Sequence, residues 1–270
     1  MKNIAAYLDH IHYDGTLTPT FDTLYHLHLL HTQSIPFENL SSFTGAEVRL
    51  DIPSLLEKFT VSGRGGFCYE QNTLFKYVLE QIGFKTLGLA ARVRLNVPDD
   101  IVTPRSHMLL LVEADGEQWI ADTGFGGMSL TVPIRFTTNE IQTTPHGQYR
   151  LTRESEFYRL EAYAKGEWKV LYLFDLTAHY PADYEVYNWY VSRHPGSHFV
   201  TSLVAARASK EGRHALSNTQ YSFYPIGGEA EKKQLLSVNE ITEILEHKFH
   251  IRTADVVGLD AKLSELITAS

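Results

Sequence analysis

Apolar residues recur at three- and four-residue steps over much of residues 1–85, a spacing that is typical of amphipathic helices. One stripe covers Phe21–His31, and Thr18-Pro19 predicts the start of this helix, with the threonine as N-cap and the proline at the first helical position. A break at Pro36 separates it from a further helix predicted over Asp51–Phe59. The first third of the chain is therefore predicted to be a helical bundle.

A glycine-rich stretch at residues 63–72, Gly-Arg-Gly-Gly-Phe-Cys-Tyr-Glu-Gln-Asn, contains the one cysteine of the chain, Cys68. Three glycines in four positions disfavour a helix before Phe67, because glycine loses the most backbone freedom when it is ordered. The apolar spacing then predicts a helix to Ile82, with Gly83 as a left-handed C-cap. Cys68 is thus predicted in or near a first helical turn, where free N–H groups and the positive helix end favour a thiolate.

The pattern changes to short β segments from about Thr86. Turn residues separate these segments, and Lys165-Gly166 predicts a hairpin turn between the last two. The predicted strands are Leu87–Leu95, Met108–Val112, Trp119–Ala121, Tyr149–Thr152, Tyr158–Tyr163 and Trp168–Phe174. Short strands in succession indicate an antiparallel barrel or curled sheet.

The chain after Pro181 mixes helical and strand patterns. The predicted elements are a helix over Asp183–Tyr190, strands over Thr201–Arg207 and Gln220–Tyr224, and helices over Val238–Phe249, begun by Ser237, and Leu259–Ala269. The changes of pattern near residues 86 and 190 divide the chain into three predicted regions, 1–85, 86–190 and 191–270. Together they predict an α+β fold.

Composition narrows the class of protein. Hydrophobic residues make up 43% and charged residues 21% of 270 residues, which is ordinary for a globular protein. The net charge of −8 argues against a nucleic-acid partner or an anionic membrane surface. The single cysteine excludes an internal disulfide, and neither a signal peptide nor a membrane span is evident, so a cytoplasmic location is expected.

An Asp115-Gly116 pair between two apolar segments predicts a two-residue hairpin loop. Residues that pair across it have numbers summing to 231, so that Leu109 lies opposite Asp122. His107 and Asp122 then become diagonal neighbours on one face, at a backbone separation of roughly 7–8 Å. Both faces are apolar, and a buried carboxylate needs a partner, for which His107 is the natural choice.

A nucleophilic cysteine requires a base and a group that orients the base. Cys68, His107 and Asp122 supply this set. The alternative is that Cys68 is a small buried hydrophobe and that His107 and Asp122 form a satisfied core pair. The glycines of Thr123–Gly127 also allow a backbone to approach a phosphate closely, although the same residues suit a simple strand end and turn.

The remaining histidines have weaker functional signals. His26, His28 and His31 do not present one metal-binding face, because 26 and 28 diverge on a helix. His10, His12, His194 and His198 lack cysteine or carboxylate partners at metal-ligand spacing, so no metal site is predicted, and we interpret His146 as a turn residue.

The sequence resembles the arylamine N-acetyltransferases, and in particular bacterial members, over nearly its whole length. The motifs that carry the resemblance are Ile35-Pro36-Phe37-Glu38-Asn39-Leu40, Arg64–Asn72 with Cys68, His107 before its apolar strand, Asp122-Thr123-Gly124-Phe125-Gly126 and Thr144-Pro145-His146-Gly147. The resemblance implies a helical bundle, a central β-barrel, a C-terminal α/β lid and a catalytic core like that of cysteine proteases.

The resemblance also implies a ping-pong transfer of acetyl from acetyl-CoA to an arylamine, hydrazine or N-hydroxyarylamine. It assigns the acetyl-carrying thiol to Cys68, the base to His107 and the orienting carboxylate to Asp122. It places Phe125 at the acceptor pocket. The backbone of Gly124, Gly126 and Gly127, together with Thr103, is assigned to CoA. Arg64 and Glu38 are expected to form an ion pair that braces the cysteine loop.

Two other functions use the same residues. A hydrolase or transglutaminase-like acyl transferase would share the triad, and a non-catalytic binding module would keep the fold with an ordinary thiol. Neither the physiological acceptor nor the oligomeric state follows from the sequence.

Overall fold

The computed structural model describes residues 4–98 and 100–268. Its helices are α1 (Ala5–His10), α2 (Phe21–Ser34), α3 (Leu40–Phe43), α4 (Ile52–Leu56), α5 (Cys68–Ile82), α6 (Pro181–Arg193), α7 (His198–Thr201), α8 (Val238–His247) and α9 (Leu259–Thr268). A π-helical turn, Glu57–Val61, continues α4.

Strands form two antiparallel sheets. The larger sheet, in spatial order, contains β5 (Ile134–Arg135), β4 (Glu117–Ala121), β3 (Arg105–Ala114), β2 (Lys85–Val93), β9 (Glu167–Phe174), β8 (Phe157–Ala164), β7 (Gly147–Glu154) and β6 (Gln142–Thr144). The smaller contains β1 (Phe37–Glu38), β10 (Val204–Ala208), β11 (Gly212–Ser217), β12 (Gln220–Pro225) and β13 (Glu231–Gln234). The larger sheet curls into a nearly closed barrel, so the predicted α+β fold with a central antiparallel barrel is confirmed.

The helix that carries the cysteine has the predicted limits. It begins at Cys68, and Gly83 ends it in the left-handed conformation. The start of α2 differs from the prediction, because Thr20 and not Thr18 is the N-cap, and its side chain accepts a hydrogen bond from the N–H of Thr23. Thr18-Pro19 therefore precedes the helix.

The β3–β4 hairpin has the predicted register. Leu110 pairs with Ala121 and Ala114 pairs with Glu117, as a loop at Asp115-Gly116 requires. Both loop residues have positive φ, 51° for Asp115 and 79° for Gly116, as a type I′ turn needs. This register places the His107 end of β3 beside the segment that follows β4.

Both faces of β3 are buried, each in a different hydrophobic cluster. Met108, Leu110 and Val112 contact the helical cluster that includes α5, whereas Leu109 and Leu111 belong to the barrel interior. A third cluster joins the smaller sheet to α8 and α9. The hairpin thus lies between the bundle and the barrel, which explains why its sequence is apolar on both faces.

The limits of two predicted strands are wrong. The segment Thr201–Arg207 is not one strand, because Thr201 ends α7 and β10 begins at Val204. The strand predicted to Leu95 ends at Val93. The boundary expected near residue 190 falls within α6, which packs on the helical cluster through Tyr184 and Val191. The domain limits stay predictions, and Ala269 of the last predicted helix lies outside the described residues.

Within residues 4–98 and 100–268, no helix is both long enough and apolar enough to cross a membrane.

Candidate active site

Cys68 is the first residue of α5 and is nearly buried, with 4% of its surface exposed. The side chain of Glu70 accepts a hydrogen bond from the N–H of Phe67 at 3.1 Å, which stabilises the start of the helix. The Cys68 thiol donates to the carbonyl oxygen of Ser106 at 3.7 Å. The nucleophile candidate therefore lies where the bundle contacts β3.

A buried ion pair braces the loop that leads to Cys68. Arg64 Nη2 lies 2.7 Å from Glu38 Oε1, and Glu38 also accepts from the N–H groups of Leu40 and Gly65. Burial alone would raise the pKa of Glu38, but the charges of Arg64 and Lys58, together with the hydrogen bonds from Leu40 and Arg64, keep the pKa below its usual value. The expected Arg64–Glu38 pair is confirmed.

His107 and Asp122 meet across the hairpin as predicted. His107 Nε2 lies 2.7 Å from Asp122 Oδ2, and the two residues are 2% and 0% exposed. Because Nε2 faces the carboxylate, Nδ1 is the ring nitrogen left for the Cys68 side chain, with which His107 also shares a hydrogen bond. The structure thus brings the three predicted residues together in the order thiol, imidazole, carboxylate.

The charge state of the pair follows from its surroundings. Burial would lower the pKa of His107, but the charge and hydrogen bond of Asp122, with a smaller effect of Cys68, raise it to about 10. Burial opposes ionisation of Asp122, yet His107 and the other donors hold the pKa of Asp122 below its usual value. The resting site therefore holds an imidazolium beside a carboxylate.

Asp122 accepts hydrogen bonds from four groups. Oδ1 accepts from Asn72 Nδ2 and from the N–H of Gly124, both at 3.0 Å. Oδ2 accepts from His107 Nε2 and from the hydroxyl of Tyr172 at 2.9 Å. A carboxylate with this many donors is fixed in position and stays ionised despite complete burial.

His28 of α2 forms a hydrogen bond with the backbone of Asp122. Its Nε2 accepts a hydrogen bond from the N–H of Asp122 at 3.0 Å. Burial is the main reason that the pKa of His28 falls to about 4, although Asp122 opposes the shift, so the ring is neutral at neutral pH. A neutral acceptor is what a backbone N–H donor requires.

Sequence reasoning missed His28, Asn72 and Tyr172. The sequence contained a signal for Asn72, because it follows Cys68 by four residues and therefore lies on the same helix face. His28 also gave a signal, since a polar residue on the apolar stripe of α2 needs a partner. Tyr172 belongs to β9, and its place beside Asp122 depends on how the barrel curls.

Gly124 lies against the nucleophile helix. A Cβ at this position would come within 2.7 Å of the Cys68 Cα, and the Gly124 N–H is already donated to Asp122. Phe125 packs edge-on against His107, with ring centroids 5.2 Å apart and planes at 83°. The predicted acceptor residue is therefore at the site, whereas Gly124 has a packing role that the sequence did not reveal.

The other residues assigned to CoA lie farther along the loops. The N–H of Gly126 donates to Ser129 Oγ at 2.7 Å, and a Cβ at Gly127 would meet no atom within 4 Å. The Thr103 hydroxyl donates to the carbonyl oxygen of Val93 at 2.8 Å. Thr103 precedes Ser106, the residue that Cys68 contacts, by three positions. Contacts of these residues with CoA stay predictions.

The remaining histidines have structural partners or lie apart. His146 occupies the β6–β7 turn, as interpreted from the sequence, and its ring contacts Thr131 Oγ1 and the Ser209 carbonyl oxygen. Among the residues described, no group of three or more His, Cys, Asp or Glu side chains is arranged to hold a metal ion.

Comparison with known families agrees with this geometry. Residues 20–256 match the model of a family described as N-acetyltransferase. The match begins at the N-cap of α2 and includes Cys68, His107 and Asp122.

Relatives of the chain extend over nearly its whole length. It is 38% identical to the arylamine N-acetyltransferase of Escherichia coli, over 92% of this chain and 89% of the relative. It is 37% identical to a Salmonella typhimurium protein named arylamine N-acetyltransferase / N-hydroxyarylamine O-acetyltransferase, over 93% and 89% of the two chains.

A solved structure, Mycobacterium marinum arylamine N-acetyltransferase in complex with CoA, is similar with a TM-score of 0.94 and 36% identity over 97% of this chain and 99% of that one. Together with the family match, these likenesses show that the chain is an acetyltransferase enzyme and belongs to the arylamine N-acetyltransferase family.

Proposed function

We propose that the enzyme moves an acetyl group from acetyl-CoA to an arylamine, hydrazine or N-hydroxyarylamine through an acetyl-Cys68 intermediate. The observation that carries the proposal is the contact series from Cys68 through His107 to the fully buried Asp122. Such a series supports nucleophilic catalysis, because an imidazolium beside the sulfur favours the thiolate.

The first half-reaction starts from a proposed Cys68 thiolate beside the His107 imidazolium. The Cys68 thiolate attacks the carbonyl carbon of the acetyl thioester, a carbon–sulfur bond forms, and the bond to the CoA sulfur then breaks. The His107 imidazolium gives its proton to the departing CoA sulfur, while Asp122 keeps the ring oriented. This half ends with acetyl-Cys68, neutral His107 and free CoA.

The second half-reaction reverses these roles. The nitrogen of an amine, or the oxygen of an N-hydroxyarylamine, attacks the acetyl carbon, and His107 Nδ1 accepts the proton that is lost. The Cys68 thiolate then leaves, and the resting site is restored. Atoms and charges balance over the two halves.

Phe125 is the residue proposed to contact the acceptor ring. It lies edge-on to His107 and also 5.3 Å, between centroids, from Tyr172. An aromatic acceptor stacked there would bring its amine close to His107 and Cys68. Names of relatives include both N- and O-acetylation, which favours arylamines and N-hydroxyarylamines as acceptors.

CoA is proposed as the donor carrier because a similar structure contains it. The backbone of Gly126 and Gly127 and the side chain of Thr103 are proposed contacts, whereas the engaged N–H of Gly124 makes it a weaker candidate. We also retain the expectation of a cytoplasmic protein that needs no metal and binds neither nucleic acid nor membrane.

An acceptor panel tests the proposal. Arylamines, hydrazines and N-hydroxyarylamines are each supplied with acetyl-CoA, and both CoA release and acetylated product are measured. We expect parallel lines in double-reciprocal plots and no turnover by Cys68→Ser. CoA release that is equally fast without any acceptor would instead identify a thioester hydrolase.

A further inference from the structure

A second cavity lies away from the thiol, where α5, β2 and α6 meet. Its volume is about 390 Å³, which is within the range of small-molecule sites. Residues from the bundle, the barrel and α6 all line it, and such junctions are common places for ligands. Neither Cys68 nor Asp122 lines this cavity.

The floor of the cavity is apolar. Met108, Tyr184 and Leu50 line it and are 1%, 4% and 8% exposed. A methionine thioether and a tyrosine ring provide a soft, polarisable surface that suits a flat aromatic group. Tyr180, at the rim, is 66% exposed and offers a second ring.

The charged groups at the rim favour a cation. Lys76 is paired with Glu80, and Asp51 is paired with Arg49 at 3.0 Å. Glu185 forms no ion pair with any other residue that the structure describes. One carboxylate is therefore left without compensation at the mouth of the cavity.

A neutral imidazole in the same wall adds a hydrogen-bond acceptor. His179 lines the cavity, and burial lowers its pKa, with Arg105 acting in the same direction. Its Nε2 is buried and has no hydrogen-bond partner among the described residues. The other ring nitrogen, Nδ1, lies 3.4 Å from the Tyr187 hydroxyl oxygen, and when Nδ1 carries the ring proton toward that hydroxyl, the buried Nε2 calls for a donor.

We propose that this cavity is a second ligand site, which binds an arylalkylamine with its ring over Met108 and Tyr184 and its ammonium group toward Glu185 and His179. The site is distinct from the acceptor position at Phe125. It still touches the catalytic region, because Met108 follows His107 and the Tyr184 ring lies 6.0 Å from that of Tyr69, the neighbour of Cys68.

The chain offers a direct probe of this site. It has three methionines, of which Met108 lines the cavity and Met128 packs, as Phe125 does, against the barrel cluster. Protein labelled with ¹³C at the methionine methyl groups is titrated with 1-naphthylmethylamine. We expect the Met108 methyl signal to shift with a Kd on the order of 1 mM, while the Met128 signal stays in place.

Controls separate the two sites and the role of charge. The Met108 shift should persist after Cys68 is blocked with iodoacetamide. The neutral analogue 1-naphthylmethanol and the Glu185→Gln variant should each bind about threefold more weakly, whereas Glu243→Gln, on α8, should match the wild type.

Three results would overturn the proposal. The first is a Met108 signal that does not move when the amine concentration is about ten times the expected Kd. The second is a Met128 shift that follows the same titration curve as the Met108 shift. The third is equal affinity for the amine and the alcohol. The catalytic assignment of Cys68 would survive each of them, because no step of acetyl transfer involves Glu185.

Discussion

Two buried histidines contact Asp122, one at its carboxylate and one at its backbone N–H, and they hold different charge states. His107, on the barrel side, faces the carboxylate, and its pKa rises to about 10 even though burial opposes the shift. His28, on the helical side, faces the backbone N–H of the same residue, and burial lowers its pKa to about 4.

The difference shows that two equally buried rings take different charge states because their partner atoms differ. Both rings are fully buried, so desolvation penalises the charged form of each. A carboxylate 2.7 Å away outweighs that penalty for His107, whereas an N–H donor at 3.0 Å requires a neutral ring in His28. His107 is therefore the histidine that we propose to move a proton in catalysis, and His28 is the one that we propose to position Asp122.

Replacing each histidine by glutamine should separate the two roles most strongly. His107→Gln removes the base, and we expect kcat/KM to fall by about 10⁴-fold or more. His28→Gln keeps an acceptor for the Asp122 N–H, so kcat/KM should stay within about tenfold of wild type. Steady-state assays of both variants, with circular dichroism to check folding, provide the measurement. Equal losses of kcat/KM would show that the two histidines do not have separate roles.

Asp122→Asn removes the charge that keeps His107 protonated, but it leaves the backbone N–H that donates a hydrogen bond to His28. We expect the rate of Cys68 alkylation by iodoacetamide at pH 6 to fall by about 10²- to 10³-fold, because the thiolate loses its imidazolium partner. Labelling followed by mass spectrometry measures this rate. An unchanged rate would mean that the pair does not activate the thiol.

The two histidines should stabilise the fold in opposite pH windows. The pKa of His107 is raised from 6.5 to about 10, so its contribution is complete below pH 6.5 and is lost as the pH rises to about 10. The pKa of His28 is lowered from 6.5 to about 4, so its contribution is present above pH 6.5 and is lost as the pH falls to about 4.

Urea unfolding between pH 4 and pH 10 measures this difference. Each group can contribute a slope of at most about 1.4 kcal/mol per pH unit. We expect His107→Gln to flatten the alkaline side of the stability curve and His28→Gln to flatten part of the acid side. His31 and His214, whose pKa values also fall by burial, to about 3 and about 4, should retain acid slope in the His28→Gln variant. The opposite assignment of slopes would refute the charge states.

His28→Leu should give the smallest effect. The Asp122 N–H would be left buried without an acceptor, at a cost of about 1–3 kcal/mol in the free energy of unfolding. Both His28→Leu and His28→Gln remove the ring, so the difference between their free energies of unfolding measures the contribution of the hydrogen bond. If the two variants unfold at the same urea concentration, this hydrogen bond contributes nothing measurable.

Local chemistry was predictable from the sequence where one element determined it. The Asp115-Gly116 turn fixed the register of β3 and β4 and therefore the meeting of His107 with Asp122. The glycine loop and the apolar spacing likewise determined both ends of α5. In each case the neighbours along the chain contained all the information needed.

Features that join distant elements were not predictable in this way. The contact of His28 with Asp122 spans 94 residues, and that of Tyr172 with Asp122 spans 50, so both depend on how the bundle and the barrel dock. Strand β13, Glu231–Gln234, is polar and fully exposed, and it therefore lacks the apolar alternation that reveals a strand. Strand β1 has only two residues, too few for any pattern.

Acetylation of Cys68 is the most direct test of the proposed function. The enzyme is incubated with acetyl-CoA without an acceptor, and the intact protein and its peptides are then analysed by mass spectrometry. We predict a stable gain of one acetyl group on the peptide that contains Cys68, which disappears when an arylamine is added. An unmodified Cys68 in an enzyme that still acetylates the amine would contradict the account.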